Sequence, residues 1–189
     1  MIEYTPRLDK AIRVAAMAHR NQKRKGTELP YIVHPFGVMT IASEATDNED
    51  ILIACLFHDI LEDVPDEYSK DQMEQDFGKK VVSIVEGVTK DSSLASWQDR
   101  ADAYLDHLEH EASDESVIVS CADKIHNLMS ILEDYKEVGD DIWQRFSTGK
   151  KGQQWWYRAV YEVIAKRLPE LTLNRQLFNL VDQLVALKD

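Results

Sequence analysis

Apolar residues recur along most of this chain at spacings of three and four, the pattern of helices that bury one face. Leu8, Ile12, Ala15, Ala16 and Ala18 form one such stripe over residues 8–19. A loop follows, NQKRKGTELPY, punctuated by Gly26 and Pro30. Pro35 then opens a second helix carrying Val38, Ile41 and Ala42, at a first-turn position where its missing N–H costs nothing. Residues 50–63 predict a third helix, almost wholly apolar in its early part (ILIACLFHDIL) and therefore central. Shorter helices are expected over 69–77, stopped by Gly78, and over 79–88, with an amphipathic one over 97–111. The stretch VIVSCADKIHNLMSIL predicts a second mostly apolar helix over 117–132; its β-branched start could be a strand, but the period that follows is helical. Helices near 140–146, 153–167 and 173–187 complete the chain. No alternation of strands and helices is visible, so the expected class is an all-α bundle.

The 189 residues suit one domain, 1–189, with a substantial core. Low glycine and proline content agrees with long helices. No apolar run approaches the roughly 18 residues of a membrane helix, and the start MIEYTPRLDK lacks the apolar segment of a signal peptide. The expectation is a cytoplasmic protein with no membrane partner. Cys55 and Cys121 lie in apolar segments and read as buried, reduced thiols. A net charge of −12 disfavours nucleic acid as a partner. The charge is uneven: Arg7, Lys10, Arg13, Arg20, Lys23, Arg24 and Lys25 face only Glu3 and Asp9 at the N-terminal end, where an anionic ligand or a solvated helix face would both fit.

Two ionisable clusters interrupt apolar helices, where an unpartnered charge is costly. In His58-Asp59-Ile60-Leu61-Glu62-Asp63, a regular helix would gather the imidazole and three carboxylates within roughly 140° of arc. In Asp123-Lys124-Ile125-His126-Asn127, Asp123 and Asn127 share a face. His34 stands at a loop-to-helix junction. Two imidazoles with two carboxylates suit a divalent ion such as Mn²⁺ or Fe²⁺ better than the thiolate sets of structural zinc, and leave room for water and substrate. Glu62 and Asp63, one turn on, could orient or deprotonate that water. Against this, His-Asp pairs are common in helices, and an aspartate in an apolar helix is often an ion-pair partner. His19 reads as a helix-end residue, His107 and His110 as solvated, and His126 as packed. Lys150, Lys151, Trp155, Trp156, Tyr157 and Arg158 are either aromatic core with a basic turn or one wall of a nucleotide pocket.

The segments AAMAHRNQKRKGTELPYIVHP, LFHDILEDV, FGKKVVSIVEGVTK and CADKIHNL, in that order, resemble the hydrolase domain of RelA/SpoT-type alarmone enzymes, above all the stand-alone small alarmone hydrolases. The resemblance spans roughly residues 8–135. It implies an all-helical HD bundle and a Mn²⁺ ion, with Fe²⁺ or another divalent ion as the alternative, held by His34, His58, Asp59 and Asp123. It implies catalytic roles for Glu62 and Asp63 on the water, and contacts from Arg24, Lys25 and Asn127 to a small nucleotide substrate; Lys151 and Tyr157 join them from the aromatic-basic cluster. The implied reaction removes pyrophosphate from the 3′ position of (p)ppGpp. The loop before His34 is slightly longer than the family's pattern, Ser120-Cys121 replaces a common Lys-Leu, and the tail FSTGKKGQQWWYR resembles that of stand-alone bacterial HD proteins, many without an assigned substrate. Two alternatives follow: hydrolysis of another phosphoester such as NADPH or a nucleoside phosphate, and a non-catalytic nucleotide sensor. A homodimer is compatible with all three.

Overall fold

The structure, a computed structural model, describes residues 2–91 and 93–187. Among these the chain is helical with no strand; a single isolated bridge joins Lys23 and Pro30 across the loop before the second helix. Side-chain caps set five of the helix starts. Thr5 opens α1 (Pro6–Ala18) by accepting from the Leu8 N–H. After α2 (Val33–Ala42), Asn48 caps α3 (Glu49–Phe57) through the Asp50 N–H. A short α4 (Ile60–Asp63) follows. Ser69 and Gln72 form a capping box on α5 (Lys70–Phe77). Gly78, at φ +91°, makes the corner into α6 (Lys79–Glu86). Ser96 and Ser113 cap α7 (Trp97–His110) and α8 (Asp114–Val138). A 3₁₀ helix (Gly139–Arg145), α9 (Gly149–Arg167) and α10 (Asn174–Ala186) complete the fold.

Two helices form its centre. Every residue from Ile51 to Phe57 in α3 is buried, because α1, α2, α6 and α8 pack around it. The long α8 packs against α2, α3, α6, α9, α10 and the 3₁₀ segment. The ionisable clusters lie on these two helices or at their ends, so the fold brings them together in its interior.

The structure departs from the sequence-based expectations in four places. The third helix is not continuous over 50–63: α3 ends at Phe57, His58 and Asp59 form a turn, and α4 resumes at Ile60. The His58 Nδ1–H donates to the Cys55 carbonyl at 2.8 Å, taking the acceptor that a regular helix would offer to the Asp59 N–H. Pro35 is the third residue of α2, not the first; its absent N–H still falls within the first turn. The helix foreseen over 117–132 extends from 114 to 138, because Ser113 caps it early and polar residues continue it late. The α9 helix begins at Gly149 rather than near 153.

Candidate functional site

The α2, α3–α4 and α8 segments each deliver polar atoms to one point. His34 Nε2 and His58 Nε2 lie 3.2 Å apart. Asp59 Oδ2 is 3.0 Å from His58 Nε2 and 3.5 Å from His34 Nε2. Asp123 Oδ1 is 3.2 Å from His34 Nε2 and 3.6 Å from His58 Nε2. Both imidazoles and Asp123 are buried, and Asp59 is nearly so. Burial opposes charge on His58, but the Asp59 and Asp123 carboxylates more than offset it and hold the ring well above the ordinary histidine value. Burial likewise opposes charge on Asp59 and Asp123. The two histidines, and Lys124 for Asp123, nonetheless hold both carboxyls well below their usual range. Two ring nitrogens and two carboxylate oxygens crowded this closely share protons at best. A divalent cation would satisfy all four at once, so the donor set fits a metal. His34, His58 and Asp59 by themselves offer one donor atom each within 4.8 Å of one another.

Outer contacts orient these groups. The bond from His58 Nδ1–H to Cys55 turns Nε2 toward the cluster. His34 Nδ1 lies 3.0 Å from His126 Nδ1. Burial, followed by the charges of His34 and Arg24, pushes His126 down to about 4, so it is neutral at pH 7 and can accept at Nδ1. The Tyr31 hydroxyl donates to Asp59 Oδ2 at 2.6 Å; burial and the Asp59 charge raise it far above an ordinary phenol, so it stays protonated. Asp123 Oδ1 accepts from Asn127 Nδ2 at 2.5 Å, and its Oδ2 accepts from Lys124 Nζ at 2.5 Å. Asn127 Oδ1 in turn accepts from Arg24.

A cavity of about 630 Å³ opens beside this cluster. It is lined by Arg24, Lys25, His34, Asp59, Glu62, Asp63, Asp123, Asn127 and Tyr157, so ten of the eleven residues singled out from sequence belong to this one region once His58, behind the wall, is counted. Lys151 does not belong: it is exposed on the first turns of α9, and the cluster it was read from is divided by the helix. Trp156 and Tyr157 turn inward and line the cavity, whereas Trp155 faces outward against Trp97. Asp63 Oδ2 accepts from Gln22 Nε2 at 2.7 Å, and Gln22 Oε1 lies 2.6 Å from His19 Nδ1. Glu62 Oε1 is 4.0 Å from Lys90 Nζ.

Most of the basic N-terminal segment is spent elsewhere. Arg7 pairs with Glu49 and Asp50, Lys10 with Asp76, Arg13 with Asp9, Arg20 with Glu67 and Lys23 with Glu28. Of the seven cations in that segment, only Arg24 and Lys25 reach the cavity. Sequence reasoning passed over Tyr31, Lys90, Lys124 and Arg145, all of which line it. Lys124 had the one usable signal, a lysine beside Asp123 in an otherwise apolar helix.

The chain is similar to known proteins over most of its length. The chain is 40% identical over 124 residues to the guanosine-3′,5′-bis(diphosphate) 3′-pyrophosphohydrolase MESH1 of Danio rerio, covering 64% of this chain and 66% of that protein. It is 38% identical over 130 residues to the bifunctional (p)ppGpp synthase/hydrolase SpoT of Escherichia coli K12, covering 66% of this chain and 18% of SpoT. The chain thus spans just under two thirds of the first relative and under a fifth of the second. A solved structure of a metazoan ortholog of SpoT that hydrolyses ppGpp superposes with a TM-score of 0.79 at 25% identity, over 97% of this chain and 98% of that one. The HD-domain family model matches residues 11–154, a span that runs from α1 into α9 and takes in all four convergent donors, and the chain belongs to the HD-domain family.

Proposed function

We propose that this protein is a metal-dependent (p)ppGpp 3′-pyrophosphohydrolase, releasing GDP or GTP and pyrophosphate, with residues 1–189 acting as one domain. The observation that carries the reading is the convergence of His34 Nε2, His58 Nε2, Asp59 Oδ2 and Asp123 Oδ1 beside a cavity whose lining includes Arg24, Lys25, Lys90, Lys124 and Arg145. Its support from outside the chain is the likeness to MESH1 and to the SpoT ortholog that hydrolyses ppGpp.

In this reading those four residues hold a divalent ion, and the mixed nitrogen and oxygen set favours Mn²⁺ or Fe²⁺. Such an ion supplies an activated water and offsets charge on a phosphoryl oxygen when bound. The chain's own groups do the rest. The His34 Nδ1–H donates to His126, which fixes the ring with Nε2 inward. Tyr31 and Asn127 hold Asp59 and Asp123 at one rotamer each. Asp63, steadied by Gln22, and Glu62 face the cavity as the proton acceptors for the attacking water. Arg24 and Lys25 meet substrate phosphates or base, and Tyr157 forms part of the cavity wall. The substrate is a small nucleotide, not a nucleic acid, and the enzyme is cytoplasmic. No described helix is long and apolar enough to cross a membrane.

Incubation with ppGpp and Mn²⁺, with and without chelator, tests the reading. Chelator-sensitive release of GDP and pyrophosphate is the expected result. A metal-loaded protein that leaves ppGpp intact sinks it.

A further inference from the structure

Of the cavity's cations, Arg24 sits beside the histidine-aspartate cluster through Asn127 and Tyr31, and the other four fall into two groups by their contacts. At one end Lys25 Nζ lies 5.7 Å over the Phe146 ring, and Arg145 packs so close to Gly26 that a Cβ there would meet its guanidinium. Phe146 gives this end an apolar wall. At the other end Lys90 and Lys124 share one aromatic niche. Lys124 Nζ is 5.3 Å from the Tyr104 centroid and 5.7 Å from that of Trp156; Lys90 Nζ is 5.8 and 5.9 Å from the same two rings. Lys124 is only 5% exposed and is bonded through Asp123 Oδ2, the oxygen opposite the one that faces His34 and His58. Lys90 has Glu62 at 4.0 Å and is more open.

Two ammonium groups facing the same two rings repel each other. Asp123 pairs with Lys124 at 2.5 Å, while Glu62 stands at the limit of ion-pair distance from Lys90, so Lys90 is the less compensated of the two. A phosphate near both would offset that repulsion, and lysine's rotatable donors suit phosphate oxygens as point charges. The phosphorus under attack must sit at the His34–His58–Asp59–Asp123 cluster. The apolar end with Phe146 suits the nucleoside, which leaves the Lys90–Lys124 end for whatever lies beyond that phosphorus.

We propose that Lys90 and Lys124 form a subsite for the terminal phosphate of a diphosphate leaving group. The subsite makes the enzyme select diphosphoesters over monophosphoesters of the same nucleoside. It rests on the phosphohydrolase reading above.

The test compares ppGpp with guanosine 5′-diphosphate 3′-monophosphate in wild type and Lys90→Met, the more exposed lysine being the safer one to change. Wild type favours the 3′-diphosphate, and the variant loses roughly 10- to 100-fold of that preference in kcat/KM, the value of one charge-assisted contact. Equal losses on both substrates would mean a general structural effect and overturn the proposal. Binding of inorganic pyrophosphate and orthophosphate to the Mn²⁺-loaded protein, measured by calorimetry, needs no turnover. Wild type should bind pyrophosphate more tightly than orthophosphate, with Lys90→Met narrowing the gap; an unchanged gap overturns the subsite. If neither nucleotide is cleaved yet the pyrophosphate preference depends on Lys90, the subsite stands and the alarmone activity falls.

Discussion

Gly37 provides the sharpest physical test of how the cluster is held. It lies inside α2, where alanine should be favoured over glycine by about 1 kcal/mol. A methyl group there, however, would fall well inside 3.0 Å of His126 Cδ2 and Nε2 and 3.3 Å from Cγ. Carbon atoms prefer about 3.5–4.0 Å, so the ring must retreat by roughly an ångström. Overpacking of this kind costs about 1–3 kcal/mol, which exceeds the helix gain in most of its range. The same retreat stretches the 3.0 Å contact between His126 and His34 beyond hydrogen-bond distance. Gly37→Ala should therefore lower stability by up to about 2 kcal/mol and weaken Mn²⁺ binding by about 10- to 100-fold, the range for loss of a partner that orients a metal-bound histidine. His126→Ala removes the obstacle. In that background Gly37→Ala should become stabilising by up to about 1 kcal/mol, while metal affinity stays at its already lowered level. Urea unfolding in chelator measures the first quantity free of metal linkage, and calorimetric titration measures the second. If Gly37→Ala costs the same with and without the His126 ring, the glycine serves the backbone and the reasoning fails.

Three further outcomes follow from the packing. Asp59→Ala removes one of four convergent donors and the acceptor of Tyr31, and should cut metal affinity by at least about 100-fold together with ppGpp turnover; full metal content by elemental analysis would contradict the assigned set. Burial pushes the Cys121 thiol up to about 12 and Cys55 higher still, so both stay protonated and shielded at pH 8; labelling there should require unfolding, and rapid labelling of the native protein by a thiol reagent would refute this. Leu128→Ala empties a fully buried position on α8 and should cost about 2–5 kcal/mol, read as a lower urea midpoint at unchanged slope.

The fold was legible in the sequence wherever one physical signal decided it. The run from Ile51 to Phe57 announces a helix buried on all sides, and Ser69 with Gln72, or Gly78, announces an end. Boundaries failed where a side chain intervened. Nothing in the periodicity of 50–63 tells that the His58 ring will bond to the Cys55 carbonyl and interrupt the helix. That interruption matters, because the arc of carboxylates expected on a regular helix is not the arrangement that forms. His58 and Asp59 leave the helical path and meet His34 and Asp123, while Glu62 and Asp63 stay on the resumed turn α4 and line the cavity.

The site was legible for donors that carry their chemistry in a short motif, and illegible for those defined by what they touch. His58, Asp59 and Asp123 are costly in apolar surroundings unless compensated, which singles them out in one dimension, whereas His34, at a loop-to-helix junction, is singled out by the motif it shares with the family. Tyr31, His126 and Gln22 carry no such penalty in sequence. Their importance arises from a 2.6 Å bond to Asp59, a 3.0 Å contact with His34 and a 2.7 Å bond to Asp63 across 28, 92 and 41 residues. Lys151 failed for the opposite reason. It shared a basic, aromatic stretch with Tyr157, but α9 separates neighbours by about 100° per residue, so a cluster in sequence became two faces in space. Lys90 and Lys124 lie 34 positions apart, and only the ring pair of Tyr104 and Trp156 makes them one feature. The division follows from physics: a buried charge declares itself by its cost, whereas a positioning contact exists only once the chain has folded.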